Sequence, residues 1–175
     1  MTGPLFSHVV TLAEAGPGRS VTLEADDKAR AAIAKRLGLV ALDQFTLTAE
    51  VRAVAGGIGL RGEVRAALVQ SCAATDLPVA ATIAEPFDLK YLRDMQLSDE
   101  EAVEVELGAE DIDVLPLEHD RVDLGEVAVQ TLSLALDPFP RHADADRILA
   151  EKGVLSEEQA GPFAALAALR GKPDA

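Results

Sequence analysis

The sequence predicts an α+β fold in which an antiparallel β-sheet, open or barrel-like, is covered by two helices. Apolar and polar residues alternate over 46–54, 58–68 and 79–91. Such alternation is typical of strands with one buried and one solvated face. Two further segments, 22–37 and 124–136, space their apolar residues three or four apart, as amphipathic helices do. These five segments define the sheet and its two covering helices.

We expect one folded domain followed by extensions. A chain of 175 residues is long enough to bury a hydrophobic core. The apolar pattern ends at Pro138 and Pro140, and the next twenty residues are polar, which is typical of a mobile segment. We therefore expect a domain over 1–137, a flexible linker over 138–160 and a short helix over 161–170 that ends an acidic C-terminal tail.

The connection between the first two long strands can be predicted from their charges. A two-residue turn at 56–57 would place like charges opposite each other across the hairpin, which is unfavourable. A four-residue connection at 56–59 instead pairs Arg52 with Glu63, and it keeps the apolar faces of both strands on one side. We therefore predict the four-residue loop.

Residues 57–62, Gly-Ile-Gly-Leu-Arg-Gly, match the dinucleotide-binding pattern G-x-G-x-x-G. That site needs a helix N-terminus after the glycines to hold the pyrophosphate. The residues that follow here alternate as a strand does. We therefore interpret the glycines as part of a hairpin and predict no nucleotide site.

No other motif indicates catalysis. The single cysteine, Cys72, excludes a disulfide framework and lies in no nucleophile signature, and nothing in the sequence links it to His8, His119 or His142. The histidines lack the spacing of a metal hydrolase, and there is no phosphate-binding loop. We predict no enzyme, no catalytic residue and no small-molecule substrate.

Charge is distributed unevenly along the chain. Residues 1–93 contain ten acids and ten bases, whereas residues 94–175 contain twenty acids and six bases and so carry the whole net charge of −14. An anionic segment attracts basic partners, and the alternative is a solvated surface that keeps the protein soluble. The candidate residues for docking a basic partner are Glu100, Glu101, Glu104, Glu106, Glu110, Asp111 and Asp113.

A weaker basic surface is predicted on the sheet. Its candidate residues for RNA contact are Arg52, Arg61, Arg65, Lys90 and Arg93, and neighbouring acids neutralise part of their charge. RNA-binding sheets usually expose aromatic residues among basic ones. This chain has six aromatic residues, so the signal for RNA binding is weak.

We expect a cytoplasmic protein without a membrane segment. Residues 1–10 lack the basic and long apolar regions of a signal peptide. No stretch approaches the roughly 18 apolar residues of a spanning helix.

Three motifs in a fixed order carry a family resemblance. They are V-Q-S-C-A-A-T-D-L-P-V at 69–79, D-L-G-E-V-A-V-Q at 123–130 and P-F-A-A-L at 162–166. The chain resembles the YceD family, the large ribosomal RNA subunit accumulation proteins. The resemblance implies a non-enzymatic factor in large-subunit ribosomal RNA accumulation and ribosome assembly.

The resemblance also bears on whether this chain binds zinc. Many members of the family carry two C-x-x-C pairs that look like a zinc site. In this sequence Thr75 stands in place of the partner of Cys72, and the second pair falls at His142 and Ala145. Structural zinc takes four nitrogen or sulfur ligands, so Cys72 and His142 leave the set incomplete. We predict no zinc and no cofactor.

Two mechanisms remain open for such a factor. In the first, the arginines and lysine of the sheet touch large-subunit ribosomal RNA. In the second, the acidic segment 94–126 escorts a basic ribosomal protein without direct RNA contact. Phosphate contacts need net positive patches, so the charge distribution favours the second.

Overall fold

The computed structural model describes residues 6–93 and 113–154, and the chain divides into two compact units. The larger unit contains Met1–Val69 and Ala80–Leu136, and the smaller contains Gln70–Val79 and Asp137–Ala175. The elements in chain order are β1 (Val9–Thr11), α1 (Leu12–Ala15), β2 (Arg19–Glu24), α2 (Asp27–Leu37), β3 (Ala41–Val54), β4 (Gly57–Ser71), β5 (Pro78–Leu92), β6 (Asp113–Pro116), β7 (Arg121–Asp123), α3 (Leu124–Ala135) and α4 (Ala145–Glu151). The predicted α+β class is confirmed.

Five strands form one mostly antiparallel sheet in the order β2-β3-β4-β5-β6. The pairs β2–β3 and β3–β4 are antiparallel, whereas β6 runs parallel to β5. Within the described residues β2 and β6 are the two edges, so the sheet is open and the barrel-like alternative is wrong. The short strands β1 and β7 pair separately in a two-stranded antiparallel sheet.

Strand β2 corrects the predicted start of the first helix. Residues 22–24 belong to this strand, and α2 begins only at Asp27. Asp26 caps α2 by accepting a hydrogen bond from the Ala29 backbone N–H at 2.8 Å. The helical interpretation of residues 22–24 fails because their alternation of half-buried and exposed residues matches a strand paired with β3.

The turn between β3 and β4 differs from the predicted four-residue loop. Val54 lies opposite Gly57, so only residues 55 and 56 form the turn. Gly56 has a φ of 80°, which glycine adopts readily in a tight hairpin. This register places Glu50 opposite Arg61 and so avoids opposed like charges. The prediction considered a two-residue turn only at 56–57, where like charges would be opposed. The observed two-residue turn at 55–56 avoids this opposition.

The inner face of the sheet and helices α2 and α3 share one hydrophobic core. Its largest fully buried side chains from these elements are Phe45, Leu47, Ile58, Leu60, Leu68, Leu124 and Leu132. The two helices are also linked by an ion pair, in which Arg36 donates to both carboxylate oxygens of Glu126 at 2.6 and 2.7 Å. Asp123 caps α3 by accepting a hydrogen bond from the Gly125 backbone N–H at 2.9 Å.

Several predicted segments lie wholly or partly outside the described residues. They include the terminal helix expected at 161–170 and the last residues of the linker expected at 138–160. Within the range expected as a linker, 138–160, residues Ala145–Glu151 form helix α4. None of the helices in the described ranges has the length and hydropathy needed to cross a bilayer.

Candidate functional site

The outer face of β3, β4 and β5 forms an open groove with a volume of about 1040 Å³. The strand register builds it, because Thr46, Thr48 and Glu50 lie opposite Arg65, Glu63 and Arg61. Side chains directly opposite each other on antiparallel strands share one face of the sheet. The charged residues lining the groove are two glutamates and two arginines, Glu50, Glu63, Arg61 and Arg65. The charges of these four lining side chains therefore cancel.

Of the five residues predicted to contact RNA, the groove brings together only Arg61 and Arg65. Arg65 donates to Glu63 at 2.6 Å, and Arg61 lies 3.8 Å from the carboxylate of Asp88. These ion pairs are solvent-exposed and hence weak, on the order of 0–1 kcal/mol each. They still place a carboxylate beside each arginine, which reduces the attraction of the groove for phosphate.

The other three residues of that set lie outside the groove lining. Arg93 follows β5 and makes two hydrogen bonds to the carboxylate of Asp120, at 2.5 and 2.6 Å. The Arg93 guanidinium lowers the pKa of Asp120. Arg52 lies opposite Gly59 on the outer face, and Lys90 is half-buried on β5. Within the described residues Arg52 and Lys90 form no ion pair.

The predicted acidic docking residues are mostly outside the described chain. Glu100, Glu101, Glu104, Glu106, Glu110 and Asp111 lie in the range that is not described. Asp113 begins β6, where it lies opposite Leu89 of β5 and is exposed. The acidic set therefore remains a prediction.

The smaller unit surrounds Cys72 with backbone hydrogen-bond donors. The His142 backbone N–H donates to Cys72 Sγ at 3.3 Å, and the Ala73 N–H donates to the Pro140 carbonyl at 2.8 Å. Cys72 is 1% exposed. The structure thus joins two sequence regions seventy residues apart, which the family resemblance implied through its two C-x-x-C positions.

The donor set around Cys72 does not fit structural zinc, which requires four nitrogen or sulfur ligands. Thr75 and Ala145 occupy the other two positions of the motif and supply neither atom. His142 Nδ1 accepts a hydrogen bond from the Asp144 backbone N–H at 3.1 Å, so that ring nitrogen is already engaged. In the described residues no three His, Cys, Asp or Glu side chains are grouped as metal ligands.

Cys72 has a pKa lowered to about 7, chiefly because the His142 backbone N–H donates to its sulfur and next because of the Thr75 side chain. Burial acts in the opposite direction. A thiolate favoured in the folded state adds stability above the ordinary thiol pKa, and this stability is lost as pH falls through about 7.

We expect thiolate ultraviolet absorbance of the folded protein to rise with a midpoint near pH 7. His142→Pro removes the backbone donor and should raise the midpoint, whereas His142→Ala keeps the N–H and should leave it unchanged. A coordinated zinc would keep the thiolate deprotonated to much lower pH. Equal midpoints in the proline and alanine variants would contradict the assigned cause.

Sequence reasoning missed the threonines that line the groove. Thr46 and Thr48 on β3 and Thr82 on β5 are outward-facing residues of this surface. In the sequence these threonines are polar residues of alternating strands. Alternation indicates that they face solvent, but it does not indicate which strands are neighbours. Strand order and register were needed to place them together.

One family model matches the chain. The family is described as Large ribosomal RNA subunit accumulation protein YceD, and the match covers residues 60–170, well over half of the chain. The match begins within β4 and includes the Cys72 turn and α3. No curated protein and no solved structure matches the sequence.

Proposed function

This chain belongs to the YceD family, and we propose that it is a non-enzymatic factor in the accumulation of large-subunit ribosomal RNA, acting in the cytoplasm without a cofactor. The family match over residues 60–170 is the observation that carries the proposal. The chemistry of the described residues supports the non-enzymatic part. The sulfur of Cys72, the one thiol of the sequence, accepts a hydrogen bond from the His142 backbone N–H. The His142 ring instead accepts a hydrogen bond from the Asp144 backbone N–H.

We further propose that the direct partner is a basic ribosomal protein bound by the acidic segment of the chain. Residues 94–126 contain thirteen acids and a single base, Arg121. An anionic segment attracts lysine- and arginine-rich proteins and repels phosphate. Holding such a protein until it meets ribosomal RNA would support accumulation of the subunit.

Direct RNA contact is a second candidate, supported by one specific observation. Arg52 and Lys90 form no ion pair within the described residues, so their charges remain available to a phosphate. The groove itself gives less support because Arg61 and Arg65 each lie beside a carboxylate. Phosphate binding there would have to compete with Asp88 and Glu63.

A pull-down at native salt, with and without nuclease, separates the two mechanisms. The test variant replaces Glu100, Glu101, Glu104 and Glu106 by glutamine, and the matched control replaces Arg52 and Lys90 by glutamine. We expect a basic ribosomal protein to survive nuclease treatment. We also expect its yield to fall at least about tenfold in the acidic variant, since several charge contacts are lost, and to be unchanged in the control.

The opposite pattern would support direct RNA contact. Partners would then disappear with nuclease and with the Arg52 and Lys90 changes, but not with the glutamine changes in the acidic segment. The functional assignment itself is tested separately, by measuring large-subunit ribosomal RNA in a deletion strain. Normal levels in that strain would contradict the assignment, whichever partner the pull-down recovers.

A further inference from the structure

Strand β2 presents unsatisfied backbone groups at one edge of the five-stranded sheet. The Ala25 N–H donates to the Phe45 carbonyl at 3.0 Å, directly after the paired residues Glu24 and Thr46. Antiparallel strands alternate between residues that hydrogen-bond to the neighbour and residues that do not. The odd-numbered residues of β2 therefore bond to β3. Ser20, Thr22 and Glu24 consequently direct their N–H and C=O groups away from it.

Nothing in the described chain covers this edge. The backbone groups of Ser20, Thr22 and Glu24 have no hydrogen-bond partner among residues 6–93 and 113–154. Proteins usually protect an edge strand with a proline, a bulge or an inward-pointing charge. The six residues of β2 pair with β3 without a register shift and include no proline. Val21 and Leu23 pack towards the core, and Arg19, at the first position of the strand, is the one charged residue on their face.

We propose that this edge pairs with the same edge of a second copy, antiparallel, around a two-fold axis at Thr22. Two sheets joined in this way keep their apolar faces on one side only if even-numbered residues lie opposite even-numbered ones. Thr22 then lies opposite the second copy's Thr22, Ser20 opposite Glu24, and Val21 opposite Leu23. This arrangement forms three hydrogen-bonded residue pairs, or about six backbone hydrogen bonds.

The side chains of β2 are complementary to themselves in this register. Val21 and Leu23 extend the apolar inner face across the junction, and threonine faces threonine on the outer face, a favourable cross-strand pair. No like charges are opposed. Arg19 lies opposite Ala25, directly before the acidic start of α2 at Asp26 and Asp27, so the junction also places opposite charges close together.

Neighbouring registers fit less well. Moving the axis to Val21 would pair Glu24 with Gly18, whose N–H already donates to the Ala15 carbonyl at 3.1 Å. Moving it to Leu23 would leave Ser20 without an opposite residue in β2. The axis at Thr22 therefore makes the fullest use of the free edge. The inference is independent of the function proposed above.

Engineered disulfides test the register directly. Hydrogen-bonded residue pairs place their Cα atoms about 5.5 Å apart, which is within the range a disulfide can bridge. We expect Thr22→Cys to form a covalent homodimer on mild oxidation. Ser20→Cys should not, because two Ser20 residues would lie four residues apart along the strands, roughly 13 Å. The wild-type chain with buried Cys72 is the background control.

Sedimentation tests the association without covalent trapping. We expect the wild-type chain to dimerise reversibly, and Thr22→Pro to weaken the dimer at least about tenfold because it removes a bonding N–H from each copy. Proline is tolerated there because that N–H does not bond to β3. Thr48→Lys, on the same exposed face but opposite Thr22 within the sheet, should leave dimerisation unchanged.

Each other outcome overturns the proposal. A wild-type monomer at all concentrations would exclude the dimer. Equal crosslinking of the Thr22→Cys and Ser20→Cys variants would exclude the register. A wild-type monomer that binds a basic ribosomal protein, and loses it on Thr22→Pro, would assign the edge to that partner instead.

Discussion

We expect Gly57→Ala to destabilise the larger unit by about 3 kcal/mol or more. A Cβ atom at Gly57 would overlap the carbonyl oxygen of Tyr91 and lie 2.8 Å from its carbonyl carbon and 3.0 Å from the Leu92 Cα. These are backbone atoms of β5, which cannot rotate away as a flexible side chain would. The methyl group can be accommodated only if β4 and β5 separate at this end.

Urea unfolding followed by circular dichroism measures this effect, and Gly16→Ala is the matched control. A Cβ at Gly16 would have its nearest atom, the Ala13 carbonyl oxygen, at 3.4 Å, and its φ of −50° is one that alanine adopts. We expect the control to change stability by less than about 1 kcal/mol. If both variants unfold at the same urea concentration, the close approach of β4 to β5 at Gly57 is contradicted.

Close approaches between neighbouring strands explain two glycines of the pattern that resembles a dinucleotide site. Gly57, Gly59 and Gly62 all lie within β4, and no helix follows them. At Gly62 a Cβ would overlap the Thr48 carbonyl oxygen and lie 2.8 Å from the Ala49 Cα. Close packing of neighbouring strands is thus sufficient to account for Gly57 and Gly62, and the helix N-terminus that would hold a pyrophosphate does not follow them.

The long strands were predictable because each alternates over many residues. β3, β4 and β5 have 14 or 15 residues each, and their inner faces are apolar over most of that length. β2 has only six residues, and only two residues separate it from α2. Residues 22–24 were therefore assigned to the helix, although they alternate as a strand does. Local patterns of this kind locate an element well but locate its ends poorly.

The candidate site was less predictable because it depends on contacts between distant residues. The sequence marked Arg61 and Arg65 as basic residues with acids nearby, and Glu63 lies only two residues from Arg65. The register and strand order were needed, however, to show Glu50 opposite Arg61 and Asp88 beside it. The proximity of Cys72 to His142 was implied only by the family resemblance, and the folded smaller unit supplies the contact itself, a hydrogen bond from the His142 backbone N–H to the sulfur. A sequence can therefore suggest which residues carry charge, whereas the net charge of a surface requires the tertiary structure.

The carboxylates beside Arg61 and Arg65 affect the choice between the two proposed binding mechanisms. In the groove Arg61 and Arg65 each lie beside a carboxylate, whereas residues 94–112 contribute eight acids and no base. A cationic partner would therefore be attracted more strongly to residues 94–112 than to the groove. On the mechanism proposed above, the sheet would serve mainly as the folded platform to which residues 94–112 are joined, between β5 and β6.

Phe45 is the largest fully buried side chain of the core, and we expect Phe45→Ala to cost about 3–5 kcal/mol of unfolding free energy. Phe45 is 1% exposed on the inner face of β3, and its ring centroid lies 5.3 Å from that of Phe6 at an interplanar angle of 53°. Truncation removes the buried ring and this aromatic contact and leaves a cavity that the paired strands cannot readily close.

Phe139→Ala is the same substitution at a surface position, where the side chain is 74% exposed, and should change stability by no more than about 0.5 kcal/mol. Urea midpoints of the two variants can be compared directly, since the chemical change is identical and only burial differs. A similar loss in both would contradict a core centred on β3. If Phe45→Ala unfolds the platform but still captures the basic ribosomal protein, the acidic segment binds without it; loss of capture would show that the fold must present that segment.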